Sequence, residues 1–273
     1  MKQLLLLLTL LPLMVKSQNK LAIDTTIEYR GFYISRFNKI YDNHDSMATL
    51  FKYIQQQKFN RIMEYDLGDV LRNTNNYGAI SSFNTIARTQ HGITQVAAVV
   101  GSFDDFAKHI LPYNLIQTSP VAAYNYVNLE SEFWNNDCTW PQYAQRLHDI
   151  HLLAQQQNPP MGTELYIGWL TPGQEDEQAD TLVKYTDRIL VHDYTKTPNL
   201  KYIQSRLDII GRAALRRHKV QNIIILFDSD ISHKYFKTHS FSYAYHQVKE
   251  AFNAANLPGK AGVNIIGFAE FKQ

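Results

Sequence analysis

The chain has 273 residues, 45% of them hydrophobic, and 27 basic against 25 acidic residues leave a formal charge of only +2. A chain this long buries a core that stands without disulfides or a structural metal, and its charge balance offers no field for nucleic acid or an anionic membrane. The 17 Tyr and 14 Phe are expected mostly in the core and its rim, with some left for stacking on a ring-bearing ligand such as a sugar.

The N-terminus reads as a targeting signal. Lys2 supplies a positive start, residues 4–15 form an apolar stretch, and Val15-Lys16-Ser17 places short side chains before a cleavage point at Gln18. Residues 1–17 are therefore expected to be a signal peptide and 18–273 the mature domain, secreted or periplasmic. The apolar stretch is shorter than a membrane span, and no later run approaches spanning length. Cys138 is the sole cysteine, so no internal disulfide is expected. Its Asn-Asn-Cys-Thr-Trp setting reads as a plain loop.

After the signal, strand-like runs alternate with helix-period stretches. A strand over 29–37 precedes a helix over 46–57, and a strand over 61–67 precedes a helix over 78–89. A third strand, 94–100, closes in Gly101-Ser102 before a helix over 103–111. The fourth strand spans 122–133 and leads to a long amphipathic helix over 140–157, opened by Thr139-Trp140-Pro141 as cap and first turn. Strands over 164–170, 188–194 and 222–228 follow, with helices over 176–185, 200–217 and 243–255. Leu257-Pro258-Gly259 stops the last helix, and a strand over 263–271 ends the set. Eight strands with seven intervening helices predict a single-domain α/β fold, the (β/α)8 TIM barrel. An open doubly wound sheet shows the same alternation with fewer strands, but no Gly-rich turn follows the first strand. The eighth helix is missing, and the segment before the first strand is expected to replace it in part. Arg216-Arg217-His218-Lys219 reads as a charged helix end, not a nucleic-acid patch.

In such a barrel, ligands meet the C-terminal ends of the strands. Polar residues gather there: Glu64-Tyr65-Asp66 on the second strand, His192-Asp193-Tyr194 on the sixth, Asp228-Ser229-Asp230 on the seventh and Glu270 on the eighth. Helix capping accounts for any one of them, though less readily for all. Strand side chains alternate, so Asn128, Glu130 and Glu132 share one face of the fourth strand. If that face looks inward, two carboxyls and an amide stack toward the mouth, and repulsion between the carboxyls favours a neutral acid. Tyr33, Trp134, Trp169 and Phe271 are expected to line the cleft. The bland alternative is a solvated strand end whose acids cap the next helix.

Asn125-x-x-Asn128-x-Glu130-x-Glu132 resembles the DxxDxDxE signature of glycoside hydrolase family 18, the chitinase-like barrels. Gly31-Phe32-Tyr33 resembles that family's Gly-Tyr-Tyr on the first strand, Gly101-Ser102 the end of the third, and Leu190-Val191-His192-Asp193 its Met-x-Tyr-Asp on the sixth. Gly267 to Phe271 sits where the family's final strand carries a tryptophan floor. The resemblance implies Glu132 as general acid and Glu130 as the residue orienting an acetamido group in a substrate-assisted reaction, with Tyr194 near the place of the family's tyrosine. Glu130 stands for Asp, Asn125 and Asn128 for two further Asp, His192 for Tyr and Phe271 for Trp.

Three functions compete. The first is a secreted glycoside hydrolase acting on a glycan, one containing N-acetylglucosamine included, with Asn128, Tyr33, Glu64, Trp134, Trp169, His192, Asp193, Asp228, Glu270 and Phe271 holding substrate and no cofactor or metal. The second is a catalytically inactive barrel that binds a glycan or a protein through the same cleft. The third is a metal-assisted hydrolase using Glu64, Asp66, His192 and Asp193, although no HxH or HExxH spacing supports it. A retaining pair of Glu132 with Asp228 is a further arrangement of the first.

Overall fold

In a computed structural model, residues 19–272 are described; the expected signal peptide lies outside them. Eight parallel strands close into a barrel in the order β1 to β8. They are β1 (Tyr29–Ile34), β2 (Arg61–Glu64), β3 (Gln95–Val100), β4 (Tyr126–Leu129), β5 (Gly162–Ile167), β6 (Arg188–Asp193), β7 (Gln221–Asp228) and β8 (Val263–Phe271). Around them run α1 (His44–Gln57), α2 (Leu67–Leu71), α3 (Tyr77–His91), α4 (Phe103–Asp105), α5 (Leu111–Leu115), α6 (Trp140–Gln155), α7 (Glu175–Lys184), α8 (Leu200–Arg216), α9 (His233–Phe236) and α10 (Phe241–Ala254). The fold is the (β/α)8 barrel that the alternation predicts.

Local chemistry explains the helix starts. The side chains of Asn43, Asn199 and Ser240 accept from the backbone N–H three residues on, opening α1, α8 and α10. Thr139 and Gln142 form a reciprocal capping box at α6, with Pro141 in the first turn. The predicted helix over 103–111 is longer and irregular: residues 106–110 form a π turn between α4 and α5. Pro112 lies in the first turn of α5 and has no N–H for the Lys108 carbonyl, which favours the wider turn.

Several strands end earlier than predicted, β2 at Glu64 and β5 at Ile167 among them. β1 stops at Ile34 because residues 37–39 turn into a 3-10 helix. β4 covers only four residues, although Asn125 N–H and Glu130 N–H still donate to Val96 and Val100 of β3. The ladder therefore carries residue 130 at the barrel rim without regular strand geometry.

Strand parity divides the interior. Outward residues such as Ile62, Val127, Leu165, Val191 and Ile225 pack under the helices, while Tyr33, Met63, Val99, Tyr166, Leu190 and Leu226 fill the barrel. Deep in the barrel sits a polar layer. The Arg188 guanidinium lies 3.7 Å from the Glu164 carboxylate, donates to Gln95 at 2.8 Å and covers the Tyr126 ring at 3.9 Å. Asn128 belongs to this layer, donating to Glu164 at 3.3 Å.

Among the described residues no helix follows β8. The segment before β1 instead lies against the start of α10: Lys20 and Ala22 carbonyls accept from Ser240, and Asp24 contacts Ser242 and His246. The basic end of α8 is held by α7, with Arg216 2.7 Å from Asp180. No described helix is long and apolar enough to cross a membrane.

Candidate active site at the barrel mouth

A pocket of about 390 Å³ opens at the C-terminal ends of the strands. The end of β1 contributes Ser35 and Arg36, β2 Tyr65, β4 Glu130 and Glu132, β5 Tyr166, β6 Tyr194 and β8 Phe271. Parity accounts for four of them: Tyr65 continues the inward row of Met63, Tyr166 that of Glu164, and Glu130 and Glu132 that of Asn128.

The two glutamates share the pocket but not an environment. Glu130 is held at its inner wall, where burial first and the Glu132 charge second push its carboxyl up to about 8, against a hydrogen bond from Tyr65. One of its oxygens is buried with no protein partner. Glu132 accepts from the Tyr166 hydroxyl on one oxygen and from the Asn135 amide on the other. Burial and the two glutamates hold the Tyr166 phenol protonated, so it remains a donor. Tyr194 is raised far above its ordinary value, mainly by burial and then by Glu130; its ring stacks on Phe271 at 5.8 Å.

Other predicted residues surround the pocket without lining it. Tyr33 lies one layer below, edge-on to Phe271 with ring centroids 5.8 Å apart and its buried hydroxyl without a protein partner. Asn128 lies lower still, with Glu164. His192 is buried beside Tyr194, its Nε2 2.9 Å from the Tyr202 hydroxyl, and burial pulls it down to about 4. Trp134 packs edge-on against Tyr166 at 5.5 Å and nearly parallel to His192. Trp169 stands outside this cluster, 52% exposed, against Tyr202 and Arg206. Asn125 is structural, its side-chain oxygen accepting from Val96 N–H and from Arg88.

Four predicted acids do other work. Glu64 points outward into the helix layer, where it accepts from Tyr124 at 2.6 Å and burial pushes it up to about 8. Asp193 also points outward, accepting from Thr195 and from the Asn199 backbone to fix the loop before α8. Asp228 caps the turn after β7, its Oδ1 accepting from the N–H groups of Asp230 and Ile231. Glu270 faces away from the barrel axis and receives the Tyr53 hydroxyl at 2.7 Å, lining a separate cavity of about 410 Å³. With Glu64 and Asp193 turned outward, the metal grouping does not assemble. No three His, Cys, Asp or Glu among the described residues are placed to hold an ion. Cys138 pairs with the Ser131 hydroxyl at 3.3 Å.

Selection of residues by type noted Tyr65 at its strand end without choosing it for the site, and passed over Tyr166, Ser35 and Arg36. For Tyr65 and Tyr166 the signal was present: each lies two positions beyond an inward residue of its strand. Arg36 and Ser35 lie past the end of β1, where alternation no longer applies.

Fold and pocket together define a (β/α)8 barrel with paired glutamates at its mouth. No protein-family model matches the chain, and no curated protein matches it in sequence. Among solved structures it is similar to the YdjI aldolase from Escherichia coli K12, at 9% identity and TM-score 0.51, over 93% of this chain and 80% of that one. It is also similar to a modular endo-beta-1,4-mannanase of glycoside hydrolase family 26 from Cellulomonas fimi, at 12% identity and TM-score 0.54. That match covers 91% of this chain and 65% of the mannanase. At such identities the likeness shows the fold alone.

Proposed function

We propose that the protein is a glycoside hydrolase acting on a glycan at the barrel mouth, with Glu130 and Glu132 as its working pair. The observation that carries this reading is the asymmetry between two neighbouring carboxyls. A carboxyl raised to about 8 is neutral at pH 7 and able to protonate a leaving oxygen. One of its oxygens has no hydrogen-bond partner in the protein. Glu132, oriented by Tyr166 and Asn135, faces the same space as an acceptor, suited to stabilise positive charge on the sugar carbon or to take a proton from water.

These roles exchange those implied by the family 18 resemblance, in which Glu132 donates the proton. Tyr65, Tyr166 and Tyr194 supply hydroxyls around the pair and Phe271 an apolar face, a lining suited to a sugar. An N-acetylated sugar remains within this proposal, with Tyr194 on the pocket wall as the hydroxyl that would meet its acetamido group.

The test is turnover of fluorogenic amino-sugar and neutral-sugar glycosides by the purified protein, beside Glu130→Gln and Glu132→Gln. The expected result is a hundredfold or greater drop in kcat, roughly the contribution of general acid catalysis, with either change. Equal turnover by all three proteins removes the pair from catalysis. Absence of turnover on every glycoside sinks the hydrolase and leaves a binding barrel.

A further inference from the structure

The pocket contains one cation. Arg36 lies just beyond β1, exposed, at the start of the 3-10 turn over residues 37–39. It is unlike every other arginine of the chain. Arg30, Arg88 and Arg206 donate to backbone carbonyls, Arg146 to Ser131 and Arg61 to Asn60. Arg72, Arg188, Arg212, Arg216 and Arg217 meet carboxylates within 4 Å. Among the described residues, only the Arg36 guanidinium has neither a hydrogen bond nor an ion pair. It does not neutralise Glu130 or Glu132, although it lines the same pocket.

The far side of the mouth has the opposite sign. Beyond Tyr65 a smaller hollow is lined by Asp66, Asp69 and Asp105, with Arg72 engaged by Asp69 at 3.4 Å. The mouth is thus polarised from the β1 side to the β2–β3 side. With the whole chain near neutrality, orientation of a charged ligand falls to this local arrangement.

We propose that the pocket selects an acidic sugar, whose carboxylate or sulfate ester is taken by the Arg36 guanidinium while the ring lies against Phe271 and Tyr194. The planar fork of arginine offers two parallel N–H donors to either oxyanion. The inference rests on the sugar-cleaving reading for its setting, but binding alone tests it.

Calorimetric titration of the purified chain with glucuronate, glucose 6-sulfate and glucose is the experiment, repeated with Arg36→Gln and Arg36→Lys. The wild-type protein is expected to hold an acidic sugar about tenfold or more tighter than glucose, as a charge-assisted hydrogen bond provides. Arg36→Gln removes that difference, and Arg36→Lys restores part of it. Glucuronate and glucose 6-sulfate separate a carboxylate from a sulfate as the favoured group. Equal affinity for acidic and neutral sugars, a preference that survives Arg36→Gln, or no binding of any of them overturns the proposal. Turnover of neutral glycosides without an acidic preference defeats this inference and spares the hydrolase. Arg36-dependent acidic binding without turnover of any glycoside does the reverse.

Discussion

Glu130 and Glu132 are the same residue type two positions apart, and only their surroundings distinguish them. Position 130 is held against the inner wall by the hydrogen bond from its N–H to Val100, so its carboxyl loses water. Position 132 lies past the strand, where Tyr166 and Asn135 supply donors. If Glu130 donates the proton it must be neutral, so kcat/KM should fall above roughly pH 8, tenfold per pH unit. The Tyr65 hydrogen bond lowers Glu130 from a still higher value. Tyr65→Phe should therefore move the alkaline limb of a pH–rate profile upward; an unmoved or lowered limb contradicts the assignment.

At the scale of elements, parity decides which strand-end acids face the mouth. On β6, Ile189 and Val191 pack under the helices while Leu190 faces the barrel. Asp193 shares the outward row and Tyr194 the inward one. On β8 a bulge shifts the register, pairing Ile223 with Ile265 but Ile224 with Gly267. Ile265 thus faces out, whereas Ala269 faces in and Phe271 follows it into the pocket. The bulge brings β8 against β1 so closely that a Cβ on Gly267 would lie 1.8 Å from the Tyr29 carbonyl oxygen. Gly267→Ala is expected to destabilise the protein by about 3 kcal/mol, the upper part of the overpacking range, read from the chemical denaturation midpoint. A cost under 0.5 kcal/mol would show that the closing strand pair yields freely.

Over the whole molecule, the buried carboxyls raised in the folded state include Glu64 and Glu130, to about 8, and Glu270, to about 7. A folded-state value above the unfolded one means that the native protein binds the extra proton. Their contribution is fully present below pH 4.5 and is lost as pH rises toward 7 to 8. The thermal midpoint should decline between pH 5 and pH 8, and Glu64→Gln, which keeps an acceptor for Tyr124, should flatten that decline. A midpoint that climbs over this interval would show that other groups dominate the linkage.

The order of strands and helices was legible in the sequence because alternating apolar runs, caps and turn residues are local features that act before any long-range contact forms. The grouping of Glu130 with Glu132 on one face was equally legible, since a strand repeats every two residues. Whether that face looked inward was not, because it depends on which side of the closed ring the helices cover. Glu64, Asp193 and Glu270 appeared as mouth acids on residue type alone, and packing turned all three toward the helix side. Arg36 went unremarked because a surface arginine is ordinary until every other arginine is seen to be engaged. Closure of eight strands, a non-local event, determined which charges are neighbours, which carboxyl loses its water and which arginine lines the pocket without a partner.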